Sequence, residues 1–143
     1  MRITSTENNH TLLFASSEEP VLASLYEQFR REGYNILLAE SAEEGVTFLK
    51  KNRVALIISD LGLPDKDGVE FITKAKEFAL DAKRIILTQE VPIGDVVAVT
   101  CSGGIHRCVK RPWDKRELGN TVVALLKEHE AARDGSRHRQ SDS

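Results

Sequence analysis

Five short apolar runs alternate along the chain with longer segments whose apolar residues recur at helical spacing. A strand that is apolar at nearly every position is buried on both faces, as in a parallel sheet covered by helices. The alternation therefore predicts an α/β fold with a parallel sheet and helices on both of its faces. The predicted strands are residues 11–15, 35–39, 54–59, 83–87 and 105–109.

Local signals predict where the helices start. Ser16 with Glu19 three residues later fits a capping box for the first helix. Ser41 and Asp114 are the predicted caps of the second helix and of the last one. Segment 91–102 predicts a weaker helix, because its β-branched valines lower helix propensity.

The length of 143 residues suits one domain with its own core. Residues 1–10 are expected to form a flexible segment, 11–130 the domain, and 131–143 a polar tail that frays. The net charge of -2 argues against general nucleic-acid binding. No signal peptide and no apolar run of about 20 residues is present, so a cytoplasmic protein without a membrane partner is expected.

Polar side chains follow four of the predicted strands. In a doubly wound parallel sheet these strand ends meet in one crevice, where ligands bind. A carboxylate beside a hydroxyl and a cation suits phosphoryl chemistry, with the carboxylate as the nucleophile. The alternative is a structural salt bridge between the carboxylate and a cation, which also occurs in such crevices. The strand-end residues are Ser16, Ser17, Asp60, Thr88, Lys110 and Arg111.

The third strand and the loop after it resemble the phosphorylation segment of response-regulator receiver domains. Residues 56–68 carry an apolar strand that ends at Asp60, with Pro64 four residues later and Gly68 four residues beyond that. Asp60 stands at the position of the family's phospho-acceptor.

Two further segments carry the same resemblance, which spans residues 11–130. Residues 85–88 resemble the family's fourth strand with its switch hydroxyl, and residues 111–114 resemble its Lys-Pro-Trp segment, where the proline follows a cis peptide bond. The resemblance implies a flavodoxin-like, doubly wound sheet of five strands in the order 2-1-3-4-5, with five helices. It also implies a regulatory domain rather than an enzyme.

The resemblance implies specific roles and partners. A histidine kinase or phosphotransfer protein would donate a phosphoryl group to Asp60, and a downstream effector protein would respond. Thr88 would hydrogen-bond the phosphoryl oxygens, and Arg111 would stand in for the family's lysine, with Lys110 beside it. Asp60 and the backbone carbonyl of Gly62 would be ligands of Mg²⁺. A homodimer through the last helices is also implied.

The chain departs from the family pattern at the metal site. Ser16 and Ser17 stand where the family has two adjacent acidic residues, and hydroxyls are poor Mg²⁺ ligands. Glu18 is a weak candidate for a replacement ligand, although an acid there also suits a helix N-terminus. Phosphorylation that depends on Mg²⁺ is therefore expected to be weakened or absent.

Three further residues differ from the pattern. Arg111 is bulkier than lysine and grips anions with two donors. Gln89 replaces a small residue and is large enough to cover the crevice. Cys108 replaces an aromatic residue whose rotation reports phosphorylation in the family.

Three functions stay open on the sequence. The first is a receiver phosphorylated on Asp60. The second is a pseudo-receiver that binds a partner protein without phosphorylation. The third is a nucleotide or flavin binder, which is disfavoured because no glycine-rich phosphate loop follows the first strand. An output domain is expected to lie outside the chain, if there is one.

Overall fold

The computed structural model describes residues 10–89 and 104–142, with side chains up to residue 132. Five strands and four helices lie within these residues. In chain order they are β1 (Thr11–Ala15), α1 (Glu19–Arg30), β2 (Asn35–Ala39), α2 (Ala42–Lys51), β3 (Leu56–Asp60), α3 (Gly68–Ala75), β4 (Lys83–Thr88), β5 (Arg107–Lys110) and α4 (Lys115–Asp142).

The strands form one sheet in the order β2-β1-β3-β4-β5, and every pair of neighbours is parallel. The predicted fold class and strand order are confirmed. The observed strand bounds lie within two residues of the predicted ones, and β3, β4 and β5 each end one residue later, at Asp60, Thr88 and Lys110. The helix predicted over 91–102 lies outside the described residues.

The sheet separates two apolar cores. Leu12 and Phe14 of β1 face one side and pack with α1 and α4, whereas Leu13 and Ala15 face the other side with α2 and α3. This division follows from the alternation of side chains along a strand. All five positions of β3 are buried, as predicted for a central strand. The carboxyl end of β3 therefore lies at the middle of one sheet edge.

Two of the predicted helix caps are confirmed. Ser41 Oγ accepts a hydrogen bond from the backbone N–H of Glu44 at 3.1 Å. Asp114 Oδ1 accepts one from the backbone N–H of Glu117 at 2.9 Å. Each bond satisfies an amide that the first helical turn leaves without a partner.

The prediction that Ser16 caps α1 is wrong. The cap residue is Glu18, and its side chain makes no capping bond. Ser16 Oγ instead accepts from the backbone N–H of Glu18 at 3.0 Å and donates to Asp60. The carboxylate on the neighbouring strand is the stronger acceptor for this hydroxyl.

The last helix is longer than the sequence suggests. A frayed tail was expected from about residue 131, but the backbone is helical to Asp142. Ala131 and Ala132 are strong helix formers and no proline interrupts the segment, which favours continuation. Across the described part of the chain, no helix has the length and apolar content that crossing a bilayer requires.

Candidate functional site

The predicted site residues meet at the carboxyl edge of the sheet. Asp60 ends β3, Thr88 ends β4, and Ser16 and Arg111 directly follow β1 and β5. Asp60 lies opposite Leu87 in the strand register, so Thr88 is one residue beyond it on the adjacent strand. The backbone N–H of Arg111 donates to the Thr88 carbonyl at 2.7 Å, which fixes the start of the last loop.

Asp60 lies at the centre of this site and is only 2% exposed. Arg111 Nη1 donates to Asp60 Oδ1 at 3.3 Å, and Ser16 Oγ donates to Asp60 Oδ2. Burial raises the pKa of the Asp60 carboxyl, since the charged form loses its hydration. The bond from Ser16 and the charge of Arg111 oppose that rise, and the nearby charge of Glu18 adds to it.

Arg111 joins Asp60 to a second carboxylate that the sequence did not link to it. Its Nη1 and Nη2 atoms donate to Glu18 Oε2 and Oε1 at 2.9 and 3.0 Å. This two-point contact lowers the pKa of Glu18 and raises the pKa of Arg111. The signal available in the sequence was the position of Glu18, two residues after Ser16 at the same sheet edge.

The loop after β3 is packed directly against the backbone of Asp60. A Cβ added at Gly68 would lie 2.2 Å from the Asp60 carbonyl oxygen, so only glycine fits at this position. Asp67 caps α3 by accepting from the backbone N–H of Glu70 at 2.8 Å. The glycine eight residues after Asp60 is thus explained by a close approach of two backbone segments.

The same loop is tied to the neighbouring helix. The Asp65 carboxylate accepts from the backbone N–H groups of Ala42 and Glu43, both at 2.9 Å, at the start of α2. These bonds lower the pKa of Asp65. Local sequence patterns do not predict this role of Asp65, because its partners are more than 20 positions away in the chain.

The other predicted site residues lie at varying distance from this centre. Thr88 is buried beside Asp60, with 6% of its surface exposed. Ser17 is exposed, and Gly62 is an exposed loop residue that bridges to Asp67. Lys110 is exposed and borders a different cavity beside α4, and no hydrogen bond or ion pair joins it to Asp60 in the part of the chain that is described.

The side chains present do not fit a bound Mg²⁺. The Asp60 oxygens accept bonds from Ser16 and Arg111, and both oxygens of Glu18 are held by the same guanidinium. Among the residues described, no cluster of three or more His, Cys, Asp or Glu side chains is placed to hold a metal ion. Mg²⁺ sites in proteins rely on carboxylate oxygens that are free to bind.

An open cavity lies next to the Asp60 site. It has a volume of about 560 Å³, and its lining includes Glu18, Gln89, Arg111 and Trp113. The Arg111–Pro112 peptide bond is cis, as the resemblance implied. Trp113 Nε1 donates to the side chain of Gln28 in α1 at 3.3 Å, which places the indole at the cavity wall. A ligand that reached Arg111 would therefore pass close to this ring.

Comparison with known proteins decides the family. The sequence model of the response regulator receiver domain matches residues 13–123. The chain belongs to the response-regulator receiver family. This receiver is also 31% identical over 123 residues to the transcriptional regulatory protein GlrR of Escherichia coli K12, with 86% of the chain and 28% of that protein covered. It is 27% identical over 124 residues to the alkaline phosphatase synthesis transcriptional regulatory protein PhoP of Bacillus subtilis, with 87% and 51% covered.

Solved structures share the fold of this receiver. A CheY-like receiver domain protein from Methanospirillum hungatei superposes with a TM-score of 0.81 at 23% identity, covering 87% of this chain and 98% of that one. The receiver domain of an HD domain-containing protein from Pseudomonas fluorescens gives 0.82 at 24% identity, covering 94% and 98%. The receiver spans about half or less of the length of the curated relatives named above, whereas it matches nearly all of these two structures.

Proposed function

We propose that this receiver accepts a phosphoryl group on Asp60 from a histidine kinase or phosphotransfer protein. The observation that carries the proposal is the convergence of the Asp60 carboxylate, the Thr88 position and the Arg111 guanidinium at one sheet edge. A nucleophile, a hydroxyl and a fixed cation at that place suit phosphoryl transfer, which depends on positioning and charge stabilisation.

The transfer step follows from the groups present. A carboxylate oxygen of Asp60 attacks the phosphorus atom, a P–O bond forms, and the P–N bond to the donor imidazole breaks. The imidazole nitrogen leaves with the bonding electron pair and takes up a proton. Arg111 donates hydrogen bonds to the phosphoryl oxygens while the phosphoryl group moves onto Asp60, and the Thr88 hydroxyl donates a hydrogen bond to one of these oxygens.

We further propose that this transfer depends only weakly on Mg²⁺. The Arg111 guanidinium already supplies a positive charge within 3.3 Å of the acceptor oxygen. An arginine is charged at every working pH, so it neutralises phosphoryl oxygens without a metal. Arg111 would therefore take over part of the charge neutralisation that Mg²⁺ provides in the family. Glu18 and Gly62 are not needed as replacement metal ligands.

The partners follow from this role and from the surface around the last helix. A kinase or phosphotransfer protein would dock at the open cavity beside Asp60, and a downstream effector or a second copy of the chain would use the start of α4. Its exposed charged residues are Asp114, Lys115, Arg116 and Glu117. No nucleic-acid contact by the receiver itself is proposed, given its net charge of -2.

A second candidate is a pseudo-receiver that binds a partner without phosphorylation. The observation in its favour is that the polar side chains of the site satisfy one another's hydrogen bonds. In the described part of the chain no buried side-chain nitrogen or oxygen lacks a hydrogen-bond partner within the protein. Such a site holds one conformation without a phosphoryl group.

Incubation with acetyl phosphate, with Mg²⁺ or with a metal chelator, separates the two candidates. The proposal expects intact-mass spectrometry to show one added phosphoryl group in both conditions, because Arg111 supplies the charge. Asp60→Asn removes the nucleophile and should abolish the gain, while Asp65→Asn removes a carboxylate of the same loop and should retain it. No gain in wild type under any condition would favour the pseudo-receiver.

A further inference from the structure

Arg111 makes more and shorter hydrogen bonds to Glu18 than to Asp60. It makes two hydrogen bonds to Glu18, at 2.9 and 3.0 Å, and one longer bond to Asp60, at 3.3 Å. Two parallel bonds between a guanidinium and a carboxylate are stronger and more directional than a single one. The resting position of the guanidinium is therefore set largely by Glu18.

The three side chains differ in their access to water. The Asp60 side chain is 2% exposed, that of Arg111 is 18% exposed, and that of Glu18 is 52% exposed. Breaking the outer contact returns Glu18 to water, which costs little for an exposed ion pair. Breaking the inner contact leaves Asp60 charged, buried and without its cation. The Glu18 contact is the one that opens more easily.

Glu18 also borders the cavity onto which the Arg111 side chain opens. It lines the cavity beside Asp60 together with Arg111 and Trp113. A tetrahedral oxyanion presents acceptor oxygens that match the guanidinium donors, as the Glu18 carboxylate does. The anion and Glu18 would therefore compete for the same N–H groups.

We propose that Glu18 is a positioning residue that holds Arg111 at the mouth of the site and is displaced from it by a phosphoryl group or free phosphate. The inference rests on the proposed function, because the anion is the one that Asp60 would accept. Glu18 then opposes anion binding, and it does not serve as the metal ligand that its place in the sequence suggested. Loss of its charge should therefore strengthen anion binding even without a metal, whereas loss of a mere metal ligand would leave anion binding in metal-free buffer unchanged.

Phosphate binding in metal-free buffer tests the sign of this effect. Inorganic phosphate is titrated at constant ionic strength, with a chelator present, into wild type, Glu18→Gln and Glu19→Gln. Binding is followed through Trp113 fluorescence and the NMR signal of the Arg111 Nε–H group. Glu19 is the matched control, since it carries the same charge in the first turn of α1 and makes no ion pair to Arg111 among the described residues.

Glu18→Gln is expected to lower the dissociation constant for phosphate about threefold to fivefold, the upper range for an exposed ion pair. Glu19→Gln should leave it unchanged. Equal affinity in the two variants would overturn the proposal, and so would weaker binding by Glu18→Gln. The absence of any phosphate-dependent signal at Arg111 in all three proteins would overturn it as well.

Labelling with acetyl phosphate distinguishes failure of this inference from failure of the proposed function. Tighter phosphate binding by Glu18→Gln without any phosphorylation of Asp60 would support the role of Glu18 and reject Asp60 as the acceptor. Labelling of Asp60 at equal rates in wild type and both variants, with equal phosphate affinity, would support the acceptor and reject the role of Glu18.

Discussion

Charged side chains are buried both where the strands end, at the carboxyl edge of the sheet, and where they begin, at its amino edge. The hydrogen-bond partners of these side chains differ between the two edges. At the carboxyl edge, the Asp60 carboxylate accepts hydrogen bonds from two other side chains, neutral Ser16 and charged Arg111. At the amino edge, Arg84 is 6% exposed and bonds to backbone carbonyls. Its Nε donates to the carbonyl of Gly104 at 2.6 Å, and its Nη1 to that of Leu80 at 3.3 Å.

The difference lies in what can be exchanged. A backbone carbonyl is fixed by the fold, so the partners of Arg84 cannot leave without local unfolding. Side-chain partners rotate away at little cost and can be replaced by a ligand, as proposed for Glu18. The amino edge is thus built for stability and the carboxyl edge for substitution of one partner by another.

Arg84→Ala should have the largest effect. It leaves two carbonyls without their donors and removes a buried aliphatic stem, so the free energy of unfolding should fall by about 3 kcal/mol. Urea unfolding measures the loss, and Arg107→Ala serves as the control because its side chain is exposed at the same sheet edge. A change within about 0.5 kcal/mol, typical of surface positions, would remove the proposed contrast between the edges.

Acid should lower the free energy of unfolding through protonation of His106, which lies at the amino edge. Its Nδ1 accepts a hydrogen bond from the backbone N–H of Arg84 at 3.0 Å, and a protonated Nδ1 cannot accept it. Burial and the charges of Arg84, Lys83 and Arg107 lower the pKa of His106 from 6.5 to about 4, against the opposing charge of Glu128. The unfolded state therefore binds the proton first, and stability is lost as pH falls from 6.5 towards 4.

The variant His106→Asn isolates this effect, because its side-chain oxygen can still accept a bond but does not titrate. Between neutral pH and about 4, wild type should lose about 2 kcal/mol more stability than the variant. Parallel pH profiles of the two proteins in urea unfolding would show that His106 does not set the acid sensitivity of this edge.

Asp60→Asn should have the smallest effect and the opposite sign. Because burial raises the pKa of Asp60, the ionised carboxylate destabilises the fold at neutral pH. The free energy of unfolding of the variant should be about 1 kcal/mol higher, a typical gain when a residue that destabilises the fold is replaced. The gain should vanish as pH falls below 3.8, where the carboxyl is protonated in both states. A loss of stability at neutral pH would show that Asp60, like Arg84, stabilises the fold, and would contradict the contrast between the two edges.

The sequence predicted the fold well because its signals are local. The strand runs and the caps at Ser41 and Asp114 depend on neighbours within a few residues. It predicted that Asp60, Thr88 and Arg111 share one edge, because parallel strands bring their carboxyl ends together. These predictions needed only periodicity, turn chemistry and the topology rule.

The side-chain contacts within the site could not be predicted from the sequence. Ser16 matched a local capping pattern, but its hydroxyl bonds to Asp60, which lies 44 positions away in the chain. Glu18 matched a helix N-terminal acid, but it binds Arg111 across 93 positions. When a side chain has both a nearby and a distant candidate partner, sequence patterns predict the nearby one. Only the folded structure shows which of the two partners it contacts.

Two glycines in the loop after Asp60 differ in the space around them. A Cβ at Gly68 would collide with the carbonyl oxygen of Asp60, while a Cβ at Gly62 would meet no atom within 4 Å. Position 62 is therefore a suitable attachment point for a spectroscopic label, because it lies two residues from Asp60 and faces open space. A fluorophore on a cysteine introduced there would report events at Asp60 without disturbing the contact that seats α3.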